Sequence, residues 1–161
     1  VVSSPTSALV YMLGMAVSEL VYSIPALVVL TILALIFIKA TALGALILFA
    51  VMALMFVLSI ALGFFLSTFT TDVVQNYAFI GILSIFLTTI PPVYYPITYI
   101  PLPFRYIAYL SPTTYAAEIA QSAIGFLHIS TLMLAVDWIV VIGLAVLLLY
   151  ISATKSRWRD V

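Results

Sequence analysis

The chain has 161 residues, 66% of them hydrophobic and only 6% charged, with a mean hydropathy of +1.38. That composition describes a protein dissolved in lipid rather than a soluble domain of the same length. Five basic and five acidic residues give zero net charge without a basic block, which argues against a nucleic-acid partner, and the absence of cysteine removes disulfides, thiolate chemistry and cysteine-ligated metal together.

The first residues, VVSSPTSALV, carry no basic region and do not read as a signal peptide. Without an initiator Met, a processed chain or a piece of a longer one is expected. Ser4 is placed to cap a helix with Pro5 at its first position. No strong stop follows from Ala8 to Ile38, about 46 Å of helix at ~1.5 Å per residue, against a bilayer core of about 30 Å. The spanning part is therefore read near Val17 to Ile38, with Pro25 as a kink inside it. Glu19 then falls near the interface. Even at the centre its cost of about 2.5–3.5 kcal/mol is offset by Val, Leu, Ile and Phe at about 0.3–0.6 kcal/mol each.

Lys39 to Ala42 reads as a turn, and Leu43 to Leu66 carries no charge at all. Ser59, Gly63 and Ser67 recur there every four residues, a stripe that lets a helix approach closely; packing inside the subunit is the reading preferred over a dimer seam. Asp72 lies in a polar turn and is placed to cap a third span, Val73 to Ile90, which Pro91 and Pro92 end. The stretch from Ile90 to Gln121 holds six of the eight prolines and six of the ten tyrosines. It cannot cross lipid as irregular backbone, because unpaired peptide groups there are too costly. It is expected at one membrane face, as two short helices entering and leaving one leaflet: Phe104 to Leu110, then Pro112 to Ile124 with Ser111 ahead of it and Gly125 ending it. Ser130 is placed to cap a last span, Leu132 to Ile151. Trp138 and Trp158 are spaced to mark its two interfaces, and Lys155, Arg157 and Arg159 put its far end in the cytoplasm, against Lys39 and Arg105 on the other side.

The expected fold is thus an all-α integral membrane protein with four transmembrane helices at about 8–38, 43–69, 73–90 and 131–152. A Pro/Tyr-rich re-entrant helical hairpin occupies about 91–130 and a cytoplasmic tail 153–161. SPTSALVYMLGMAVSEL leading into a span, and above all VYYPITYIPLPFRYIAYLSPTTYAAE before the last span, resemble the permease of type 2 ATP-binding-cassette exporters. The resemblance covers the last four of that family's six spans. It implies that the hairpin is extracellular and caps a cavity between two permease subunits, and that Val1 to Ser7 is the tail of an element docking on an ATPase. It also implies ATP-driven export by a homo- or heterodimer of permeases in the plasma membrane, with both ends of this chain cytoplasmic. ATP and magnesium would sit on the partner ATPase, and no cofactor on this chain.

Several residues carry two readings each. Pro92, Tyr94, Tyr95, Pro96, Arg105, Tyr109, Pro112, Tyr115 and Glu118 form an exit gate, or a loop anchored at the headgroups. Arg105 and Glu118 pair to hold the hairpin shut, or each meets water or lipid phosphate. Ser3, Ser4, Pro5 and Asp72 contact the ATPase, or only start helices. Glu19 and Pro25 line a cavity, or face water and lipid. Asp137 sits near a positive helix N-terminus, which favours its charged form, or it meets substrate. His128, the single histidine, has no second ligand at metal spacing and reads as a loop residue at the headgroups. The function read is a permease subunit for a hydrophobic or amphiphilic compound, with a passive channel or scaffold as the alternative. No constellation for an intramembrane enzyme is present.

Overall fold

The computed structural model describes residues 8–33, 36, 41–67, 69–70 and 72–155. The expected start at Ser3, Ser4 and Pro5, the turn at Lys39, and Arg157, Trp158 and Arg159 of the tail lie outside these residues. Among the described residues six α-helices follow in order: α1 (Ala8–Leu33), α2 (Ala42–Ser67), α3 (Val73–Thr89), α4 (Phe104–Ala108), α5 (Pro112–Ala123) and α6 (Thr131–Lys155), with a 3₁₀ turn at Ile97–Tyr99. Leu13–Leu33, Ala42–Leu66 and Thr131–Thr154 are each long and apolar enough to cross a membrane. α3 is apolar too, but its 17 residues make about 25 Å of helix, less than a typical hydrocarbon core of about 30 Å.

Local chemistry sets the ends. Asp72 is extended and its Oδ1 accepts from the Val74 N–H at 3.4 Å, capping α3. α5 begins with Pro112 at its first position after an extended Ser111. It ends at Gly125, whose φ of +75° suits glycine, while the Phe126 N–H returns to the Gln121 carbonyl at 2.8 Å. Ser130 Oγ accepts from the Met133 N–H at 3.3 Å and so caps α6.

α2 and α6 pack along each other, and α5 packs against both. The core is Val51 and Leu58 of α2, Ala116 and Ile119 of α5, and Val141 and Ala145 of α6. Deeper along the α2–α6 seam the Ser152 hydroxyl donates to the Ala61 carbonyl at 3.0 Å, with both residues fully buried. Small residues and hydrogen bonds of this kind hold helices together in lipid, where apolar side chains gain little by leaving their surroundings. α1 lies mainly on α2, and α3 touches α2 and α5.

The close approach sits elsewhere than the small-residue stripe. Ser59 is exposed, and among the described residues no atom lies within 4 Å of where a Cβ on Gly63 would stand, so at these two positions the expectation that the stripe packs inside the subunit is not met. Small residues permit contact without supplying a partner. At Gly44 a Cβ would stand 2.5 Å from the Ala123 carbonyl oxygen, so only glycine lets the end of α5 reach the start of α2.

Candidate functional site

The Pro/Tyr stretch folds into a small polar structure whose side chains mostly bond backbone. Prolines supply no N–H, and the tight turns leave carbonyls unpaired, which burial makes costly. Gln121 of α5 answers this: its Nε2 donates to the Pro92 carbonyl at 2.8 Å and to the Tyr95 carbonyl at 3.2 Å. Arg105 does the same from α4, with Nε to the Ile100 carbonyl at 3.3 Å and Nη2 to the carbonyls of Thr98 and Ile100, each at 3.1 Å. The Thr114 hydroxyl donates to the Ala108 carbonyl at 2.5 Å and the Tyr115 hydroxyl to the Tyr109 carbonyl at 2.9 Å, fastening α4 to α5.

Beneath these contacts lies a carboxyl pair. Glu118 is 1% exposed, its Oε1 accepts from the Tyr109 hydroxyl at 3.0 Å, and its carboxyl lies beside that of Asp137 on α6, also 1% exposed, with Glu118 Oε2 and Asp137 Oδ2 lacking any hydrogen-bond partner. Burial pushes the Glu118 carboxyl above its ordinary range, against the Tyr109 hydrogen bond, the neighbouring Asp137 and the nearby Arg105 charge. Burial, with Glu118 alongside, likewise holds the Tyr109 phenol well above its usual range, so it stays a donor. Tyr115 is raised by the same desolvation. The rings of Tyr109 and Tyr115 meet at 5.6 Å.

The structure therefore brings Pro92, Tyr95, Arg105, Tyr109, Tyr115 and Glu118 into one assembly. Tyr94, 90% exposed, stands outside it, and Pro96 and Pro112 only start helical turns. Two expectations are corrected. Arg105 is engaged with backbone carbonyls, so neither an Arg105–Glu118 clasp nor a fully solvated Arg105 describes it. Glu118 is no water-facing acid, because Asp137 and Tyr109 enclose it. Glu19 and Pro25 are exposed on α1, and the helix is continuous across Pro25. Asp72 is an exposed cap, and His128 is exposed. Among the described residues no three metal-ligating side chains group together. Gln121 and Asp137 are the residues that sequence reading undervalued; their partners lie 29 and 19 positions away, beyond any helical period.

Two cavities flank this assembly. A largely apolar one of about 750 Å³ is lined by Ile90, Tyr95, Tyr99, Ile100, Phe104 and Ile107 among others. A smaller one of about 250 Å³ lies where Ile119, Ser122 and Ala123 of α5 face Gly44 and Ile47 of α2 and Leu134 and Trp138 of α6.

Three long apolar helices, with a short helix between them that buries polar side chains, define a multi-pass membrane protein. The family model for ABC-2 type transporters matches residues 1–125, and the chain belongs to that family. It is accordingly the membrane domain of an ABC transporter, a permease rather than a catalytic subunit. Such permeases generally dimerise and work with an ATP-binding subunit. No curated protein sequence and no solved structure shows significant similarity to the chain.

Proposed function

We propose that this permease exports a hydrophobic or amphiphilic compound, drug-like, lipid or lipid-linked, across the plasma membrane, driven by ATP hydrolysis on a partner subunit. The observation that carries the reading is the position of α5 in a transport family. It packs between α2 and α6 near where both begin, with an apolar cavity of about 750 Å³ beside the same segment. α3 then serves as a fourth crossing, slightly thinning or tilting the local bilayer. The hairpin re-enters from the outer face as an exit gate, and both ends of the chain are cytoplasmic. In this reading the chain corresponds to the last four of six spans, and a second permease subunit completes the path. The ATPase, carrying ATP and magnesium, docks near Ser3, Ser4, Pro5 and Asp72. An apolar, aromatic lining suits apolar cargo, which such pockets bind by burial with few polar contacts.

Purification of the full-length protein in mild detergent, with mass spectrometry of what co-elutes and an ATPase assay, tests this. A stoichiometric ATPase whose hydrolysis is stimulated by amphiphilic compounds, and altered by Asp72→Ala, is the expected result. An intact complex without any ATPase would overturn it in favour of a passive channel or scaffold.

A further inference from the structure

Glu118 of α5 and Asp137 of α6 are each 1% exposed, lie beside each other on packed helices, and each has a buried carboxyl oxygen, Glu118 Oε2 and Asp137 Oδ2, with no hydrogen-bond partner. Two carboxylates have no proton to donate, so a hydrogen bond between them needs a proton on one of them. The Tyr109 hydroxyl occupies Glu118 Oε1, which leaves Glu118 Oε2 for Asp137. Among the described residues this pair is where the hairpin presents polar side chains to the last span, because the bonds from Arg105, Thr114, Tyr115 and Gln121 all end within residues 92–121.

We propose that one proton shared by Glu118 and Asp137 latches α5 to α6, and that its loss releases the hairpin from the last span.

The surroundings leave an ionised pair little relief. α2 contains no ionisable side chain, and α3 contributes only Tyr77, which is exposed. From the hairpin, Tyr109 donates to Glu118, Tyr115 is an uncharged phenol, and the guanidinium of Arg105 favours the charge on Glu118 while bound to carbonyls. Glu19 of α1, which packs on α2 and α6, is exposed. Two adjacent carboxylates in a site this dry repel each other, and the pair titrates as a unit. The direction follows from Glu118, whose carboxyl is raised by burial. The latch is complete below the ordinary carboxylate range and is lost as pH rises through the raised value of Glu118. Release moves the α5 face that lines the smaller cavity away from Leu134 and Trp138.

These 161 residues contain no cysteine, so a thiol introduced here reports alone once any cysteine elsewhere in the full-length protein is replaced by serine. Ser122→Cys places it on that cavity, and Thr98→Cys on the exposed loop serves as reference. Maleimide labelling rates of the full-length protein in proteoliposomes are compared from about pH 5 to about pH 9. The ratio of the two rates cancels the pH dependence of thiolate chemistry itself. The ratio is expected to rise with pH on the order of tenfold, the scale of losing one charge-assisted hydrogen bond. In Glu118→Gln, or in Asp137→Asn, an amide donates at every pH, and the ratio stays low and flat. A flat ratio without either substitution, or a pH response that persists in the amide variants, overturns the proposal. Should one variant fail to fold, the other and the unsubstituted pair of profiles still decide. None of these outcomes depends on the direction of transport.

Discussion

α1 and α5 are opposites in composition and in placement. α1 is mostly apolar, with Glu19 its one charged residue, yet among its described side chains only Leu27 is buried. α5 contains Thr114, Glu118 and Gln121, and these are among its buried residues. In water that arrangement would be inside out. In lipid it is expected, because hydrocarbon solvates an apolar helix as well as a protein core does, whereas a polar group must find its partner within the protein. Polarity, more than hydrophobicity, marks the interior of this permease.

Substitutions sharpen that contrast in graded steps. The largest effect is expected at Gln121→Ala, which leaves the buried Pro92 carbonyl and the part-buried Tyr95 carbonyl unpaired. Thermal unfolding in detergent should show a loss of about 2–4 kcal/mol, from roughly 1–3 for each stranded group. Next is Gly44→Ala, whose Cβ would press on the Ala123 carbonyl and cost about 1–3 kcal/mol as overpacking does. Gly63→Ala, where the space is open, should leave the unfolding temperature unchanged or slightly raised. If Gly63 proves the more sensitive of the two, the stripe has a partner and the packing described above is incomplete.

Ser152→Ala removes the buried bond to the Ala61 carbonyl without altering shape, an expected loss of about 0.5–1.5 kcal/mol by the same measurement. The smallest step is Tyr115→Phe, which frees the Tyr109 carbonyl in a half-buried setting. It should cost about 0.5–1 kcal/mol and quicken proteolysis at the 93–103 loop, while Tyr94→Phe, at an exposed ring, changes neither.

The helix ends around α5 and at the start of α6 were legible because they are written locally. Ser111–Pro112, Gly125 and Ser130 each act within four residues, through φ, a missing N–H or a cap, and the structure uses all three positions as helix ends. What was not legible lies between elements. Nothing in the spacing of Glu118 and Asp137 says that two acids will share one buried site, and a lone acid near an interface reads as solvated. The same holds for Gly44: a glycine next to a turn looks like part of the turn until the α5 backbone is placed against it. The stripe at Ser59 and Gly63 fails in the reverse direction, since periodicity shows which face can be approached and not what approaches it.

The burial of α5 is the claim on which the rest depends, and amide hydrogen exchange of the full-length permease in lipid nanodiscs tests it most directly. α5 should exchange as slowly as α2, despite its polar sequence, while the exposed loop around Tyr94 exchanges quickly. An α5 that exchanges at the rate of that loop would contradict the account, because it would make the hairpin a solvated surface element and leave Glu118, Gln121 and Asp137 without the enclosure assigned to them here.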